Sequence, residues 1–160
     1  IQAGEGVEVA LELIGLFSQG QFPDGLMYTP DSAPYKSAWQ ETIDTAEQYN
    51  DPGNFTAFIG FEWTSLITGN NMHRVVIYRD GADKASQMVA YTTMPPLGST
   101  NPRDLWKWLT AYEEKTGGQV LAIAHNGNLS NGIMFPLTAQ WDGTVLDETY
   151  VTQRSKWEQL

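Results

Sequence analysis

One carboxylate and both histidines of this chain fall at the ends of strand-like runs. Phe55–Phe61 is a short, nearly continuous apolar run, as a buried strand should be, and Glu62 follows it directly. His73 opens a second β-rich run, His73–Tyr78, and His125 sits just past a third, Gln119–Ala124. If the first two runs pair as a hairpin across Gly69-Asn70-Asn71, the end of one lies beside the start of the other, and Glu62 and His73 share one rim of a sheet. Imidazole and carboxylate on one rim are the outline of a site for a borderline divalent ion such as Mn²⁺, Fe²⁺ or Zn²⁺. A serine nucleophile is the other chemistry to weigh. Ser65 and Ser130 lie near the same rim, but neither has a nucleophile-elbow context.

The bulk composition narrows the field. The 160 residues fit one domain, 1–160, or a piece of a larger one, and 41% of them are hydrophobic. Six Trp, seven Tyr and six Phe supply the area for a core. The net charge of −10 leaves no basic footprint for nucleic acid or anionic membrane. The absence of cysteine removes disulfides, thiolate zinc sites and Cys nucleophiles. No run approaches the roughly 18 apolar residues of a membrane-spanning helix, so a soluble protein is expected, and no targeting segment is visible. The chain opens at Ile1 without an initiator Met, which suggests that an upstream segment was removed.

The elements that must position these residues are an alternation of helices and strands. Val7, Ala10, Leu11, Ile14 and Phe17 recur at helical spacing, with Glu8 and Glu12 off that face, and the helix should stop near Gly20. Residues 21–36 read as a long irregular connection. Ser37-Ala38-Trp39-Gln40 fits a capping box and starts a second helix, whose Trp39, Ile43, Ala46 and Tyr49 share a face and which Asp51-Pro52-Gly53 ends. Residues 79–83 read as a turn, and 84–100 carry no clear pattern. Asn101-Pro102-Arg103-Asp104 is a third helix start, with Leu105, Trp108, Leu109 and Tyr112 inward and Gly117-Gly118 as the stop. Asp147–Leu160 is expected to be a last helix with Tyr150, Arg154 and Trp157 on one face. Two αβ units result, one ending at Glu62 and one at His125. Parallel strands with helices between them gather functional side chains at their C-terminal ends.

These residues carry a resemblance. Phe58-Ile59-Gly60-Phe61-Glu62-Trp63-Thr64, then Gly69-Asn70-Asn71-Met72-His73-Arg74, then Ile123-Ala124-His125-Asn126-Gly127-Asn128 resemble the DUF3604 family, related to the PHP superfamily of metal-dependent phosphoesterases. The likeness covers most of the chain. It implies an α/β fold that is part of a distorted (β/α) barrel, with strands ending at Glu62 and His125 and helices packed outside. It also implies a centre of two or three divalent ions (Mn, Zn or Fe) with Glu62 as a bridging ligand and His73 and His125 as ligands. The substrate would be a small anionic ester, clamped by Arg74 and oriented by Asn126. The superfamily's opening His-x-His and closing Asp-x-His motifs are absent, so the chain resembles the middle of such a domain and is expected to be inactive alone.

Plainer readings stand beside these. Glu62 can be a strand-end carboxylate paired with Arg74, and Asn126 a turn former. Trp39, Trp106, Trp108 and Trp157 read as core rather than as a sugar platform. The alternative function is a non-catalytic α/β module, binding a partner or carbohydrate through exposed aromatics and residues 21–36, or serving only as a scaffold.

Overall fold

The computed structural model describes residues 4, 6–19, 21–139 and 142–159. Ile1, Gly20 and Leu160, named above at element ends, lie outside them. The elements are α1 (Gly6–Ser18), a 3₁₀ turn (Asp24–Leu26), α2 (Ala33–Tyr49), β1 (Gly60–Trp63), β2 (Leu66–Ile67), β3 (Asn70–Asn71), β4 (Arg74–Tyr78), α3 (Ala82–Ala85), α4 (Pro102–Thr116), β5 (Val120–Ala124) and α5 (Glu148–Trp157).

The fold is mixed α/β. Its main sheet has the order β1-β4-β5, and β4 is antiparallel to both neighbours. β1 and β5 therefore point the same way, as the two αβ units require, but they do not pair with each other. The expected parallel sheet is corrected here. The hairpin return places β4 against β1, and β5 docks on the far edge of β4 instead. The described residues close no barrel.

The first strand is shorter than the apolar run that announces it. Pairing with β4 ends where β4 ends, at the Tyr78 N–H to Ile59 C=O bond (2.9 Å). Phe55 is drawn back into an isolated bridge with Asp51, so 56–58 have no ladder to join. Between β1 and β4 the chain makes a second, two-residue ladder, β2–β3, closed by Thr68 and Gly69 at φ 50° and 81°. Positive φ at both central positions is the hairpin turn whose twist matches its strands.

Alternation splits the main sheet into two faces. Phe61, Trp63, Arg74, Val76, Tyr78, Val120 and Ala122 face one way, under α2, α4 and α5. Trp39 of α2 meets Phe61 and Tyr78 at 5.9 and 5.6 Å between ring centres. Trp108 and Tyr112 of α4 meet the same two rings at 5.6 and 5.0 Å, and Tyr150 of α5 lies 5.0 Å from Trp106. Ile43, Leu105, Leu109 and Val76 are fully buried in this layer, each such side chain contributing about 1.5–3 kcal/mol. The four tryptophans expected in the core are there, none more than 8% exposed. The other face carries Gly60, Glu62, Val75, Ile77, Leu121 and Ile123, half-buried or exposed.

Local chemistry explains the helix ends. Asn101 caps α4 through its side chain (2.9 Å from the Arg103 N–H), with Pro102 in the first turn and Gly117 as a left-handed stop at φ 64°. Asp147 caps α5, accepting from the Tyr150 N–H at 2.8 Å. α2 starts earlier than expected. Ser32 is its cap and Pro34 sits in its first turn, so Ser37 is already one turn inside and Gln40 bonds Asp44 instead. Ser-Ala-Pro is the stronger start signal, because proline is pre-set for a first turn that needs no N–H. α1 forms as expected, but of its expected stripe Val7, Leu11 and Ile14 stay more than half exposed; Val9, Leu13 and Leu16 are half-buried instead, and Phe17 packs edge-on to Phe22.

Candidate functional site

The three strand ends meet. Glu62 pairs with Val75 across β1–β4, which sets its side chain on the same face as His73, one step beyond the start of β4. Continuing the β4–β5 register past Arg74–Ala124 brings His125 opposite His73, and the His125 N–H donates to the His73 C=O (3.1 Å). The His73 Nδ1 lies 2.6 Å from Glu62 Oε1. The two imidazole centres are 5.9 Å apart.

His73 is held in one state. Nδ1–H donates to the Glu62 carboxylate, which selects the tautomer whose lone pair is on Nε2. That Nε2 is buried and has no hydrogen-bond partner among the described residues. Burial pushes the imidazole pKa below its ordinary value; the charge and hydrogen bond of Glu62 pull it up but do not win, while His125 and Arg74 add to the lowering. A neutral imidazole with an unengaged, desolvated ring nitrogen is the form that ligates metal. His125 is exposed, and its ring completes no pre-formed cage. Among the described residues no group of three His, Asp or Glu side chains already stands close enough to hold an ion. Two imidazoles and a carboxylate nonetheless match the donor types of Mn, Fe and Zn sites.

Arg74 does not face this site. It points to the opposite face of the sheet and is fully buried. Its Nε donates to Glu158 at 2.9 Å, one terminal nitrogen to the carbonyls of Met72 and His73, and the other to the Met134 carbonyl. The guanidinium expected to clamp substrate is thus spent on the core, and the expected pairing of Arg74 with Glu62 is replaced by Arg74–Glu158 and His73–Glu62. Adjacent residues of a strand point to opposite faces, so standing next to a ligand in sequence separates a side chain from it. Asn126 is exposed at the site's edge. Its side chain accepts the Asn128 N–H (3.1 Å), the local bond of an Asx turn.

Asn71 ties the site together, and sequence reasoning missed it. It is 6% exposed, and its Oδ1 accepts the His73 N–H at 2.8 Å. Its amide nitrogen donates to the carbonyl and the side-chain oxygen of Asn128 (3.0 and 3.1 Å), and its own N–H donates to the Leu129 C=O (2.9 Å). One side chain thereby registers the loop after His125 against the strand that begins at His73. The available signal was an Asn two residues before the histidine, where its side chain can bond the backbone N–H at i+2.

No characterised protein and no solved structure matches the chain. The model of one family, "Protein of unknown function (DUF3604)", matches residues 2–160. The chain, from its first strand end to its last helix, belongs to the DUF3604 family.

Proposed function

We propose that Glu62, His73 and His125 form part of a divalent-metal centre in a hydrolase of phosphoesterase type, acting on a small anionic ester. The observation that carries this reading is their meeting at one sheet end, with the buried Nε2 of His73 left without a partner. The resemblance to PHP phosphoesterases supports it, and with it a barrel whose inner face is the half-exposed sheet face bearing Val75, Ile77, Leu121 and Ile123.

In this reading Mn²⁺, Zn²⁺ or Fe²⁺, two or three ions in the intact protein, would supply a Lewis acid and an activated water when bound. The chain's own residues do the positioning. Glu62 fixes the His73 tautomer through one oxygen and has a second to offer. Asn71 holds the His125 loop in register. Further donors would come from outside these 160 residues, since three do not fill such a centre. An acidic protein with a net charge of −10 draws an anionic substrate by local metal charge and not by its overall field.

The test is made on the longest chain that contains these residues. His73→Ala or His125→Ala should abolish hydrolysis of an aryl phosphate while far-UV circular dichroism stays unchanged. Full activity after exhaustive chelation would contradict the proposal.

A second reading has one observation in its favour. Phe55 and Phe58, 61% and 64% exposed, line an open groove against Tyr49 of α2, which suits a partner protein. Phe58→Ser would then abolish a pull-down and leave metal binding intact. The described tryptophans offer no sugar platform, because they are in the core.

A further inference from the structure

A cleft opens beside Glu62 that the proposed chemistry leaves unused. Its larger chamber, about 360 Å³, lies between Phe17 and Phe22, Met27, Leu66 of β2 and Met94. A smaller one, about 200 Å³, shares Phe17, Thr64 and Met94 with it and is lined at its far end by Glu62. The two chambers are neighbours with a shared wall; the larger is the more apolar, and the smaller reaches the candidate site at Glu62 alone, without touching either histidine.

The wall material points to an aromatic occupant. Phe17 and Phe22 stand edge to face, 5.9 Å apart and 82° inclined, the arrangement a third ring can extend. Met27 and Met94 supply two polarizable thioethers, which favour ring contacts. Among the described residues no charged side chain lines the larger chamber, and its polar side chains are threonines. Its volume falls in the range of small-molecule sites, roughly 300–1,000 Å³.

One wall is built in advance. The Gly98 N–H donates to the Met94 C=O (2.8 Å), and the Ser99 N–H to the Thr92 C=O (3.2 Å). The chain closes so tightly here that a Cβ on Gly98 would collide with the Thr92 carbonyl. The indole of fully buried Trp63 donates to the Ser99 C=O at 3.1 Å and anchors the loop to β1. A wall fixed before binding costs little ordering when a ligand arrives.

We propose that this cleft is the subsite for an aryl group carried by the ester whose anionic end the metal centre takes. The inference rests on the metal-centre reading, and it narrows the substrate class to aryl or arylmethyl esters of a small oxyacid.

Methyl NMR of the chain carrying ¹³C-methyl methionine reads it directly. Benzyl alcohol supplies the ring alone, phenylphosphonate the ring with the anion, and methylphosphonate the anion alone. The two ring-bearing probes should shift Met27 and Met94 and leave Met88 and Met134, which lie outside the cleft, in place. Methylphosphonate should move neither cleft methionine. Leu66→Trp, which fills the chamber, should weaken phenylphosphonate at least tenfold; Met27→Trp repeats the test from the opposite wall should the first variant not fold. Silent Met27 and Met94 methyls beside a saturable Mn²⁺ isotherm would overturn the subsite and leave the metal centre standing. Benzyl alcohol shifting both methyls while neither this chain nor the longer parent binds metal would leave an aryl-binding cleft but overturn its assignment to an ester at a metal centre.

Discussion

Glu158→Ala removes the one carboxylate that, among the described residues, pairs with Arg74 in the core. Both side chains are at most 2% exposed, and their atoms are 2.9 Å apart. The same carboxylate accepts the Trp106 indole N–H at 3.1 Å and Arg154 at 3.2 Å. Removing one partner of a buried pair leaves the other charge uncompensated and costs about 3–5 kcal/mol. The orphaned Trp106 donor overlaps with that cost and is not added to it. In a chain of 160 residues, each kcal/mol moves the melting temperature by about 2–4 °C, so the loss should be about 6–20 °C in a circular-dichroism melt at pH 7. The double variant Arg74→Met with Glu158→Leu should recover most of it, since replacing a whole buried pair by apolar groups is near neutral. Metal affinity should survive in that double variant, because the Arg74 guanidinium, which touches His73 only through its backbone carbonyl, lies on the opposite face of the sheet from the imidazole. A Glu158→Ala melt within 2 °C of wild type would refute the structural role given to Arg74. Loss of metal affinity in the stable double variant would refute its separation from the site.

Asn71→Ala should cost about 1–3 kcal/mol by leaving buried partners unpaired, and it should weaken divalent-metal affinity at least tenfold by calorimetry, whereas Asn131→Ala on the loop after His125 should not. Thr68→Asn should raise stability by about 0.5–1 kcal/mol in urea titrations, because a β-branched residue at φ 50° is strained and asparagine accepts that region. Asp80 is pushed up by burial, but the Gln119 N–H and the Lys84 ammonium outweigh this and hold its carboxyl below the ordinary 3.8. Its contribution to stability is therefore present above about pH 3.8 and lost as pH falls through the folded value, so Asp80→Asn should flatten the acid limb of a stability–pH curve.

Much of the fold was legible because its signals are local. Asn101-Pro102 and Gly117 bound α4 by cap and turn chemistry that acts within a few residues, and the aromatic face between them was already written at helical spacing. The meeting of Glu62 and His73 was legible for the same reason, since a hairpin return admits few registers. What escaped is long-range. The strand order depends on which edge of β4 meets β5, and no residue within either strand announces it. Arg74 was assigned to the wrong face because its partner, Glu158, is 84 residues away. The run from Phe55 promised a longer strand than β4 could pair. The cleft beside Glu62 joins Phe17, Leu66 and Met94, three segments that only folding brings together.

The central claim is that His73 and His125 belong to one metal site. Its most direct test is calorimetric titration of the 160-residue chain with Mn²⁺ and Zn²⁺, beside its His125→Ala variant and the longer parent chain. Saturable binding that the variant loses is the expected result. Identical isotherms for wild type and variant, in the short chain and in the parent alike, would contradict the claim and return both histidines to the ordinary business of holding strand ends together.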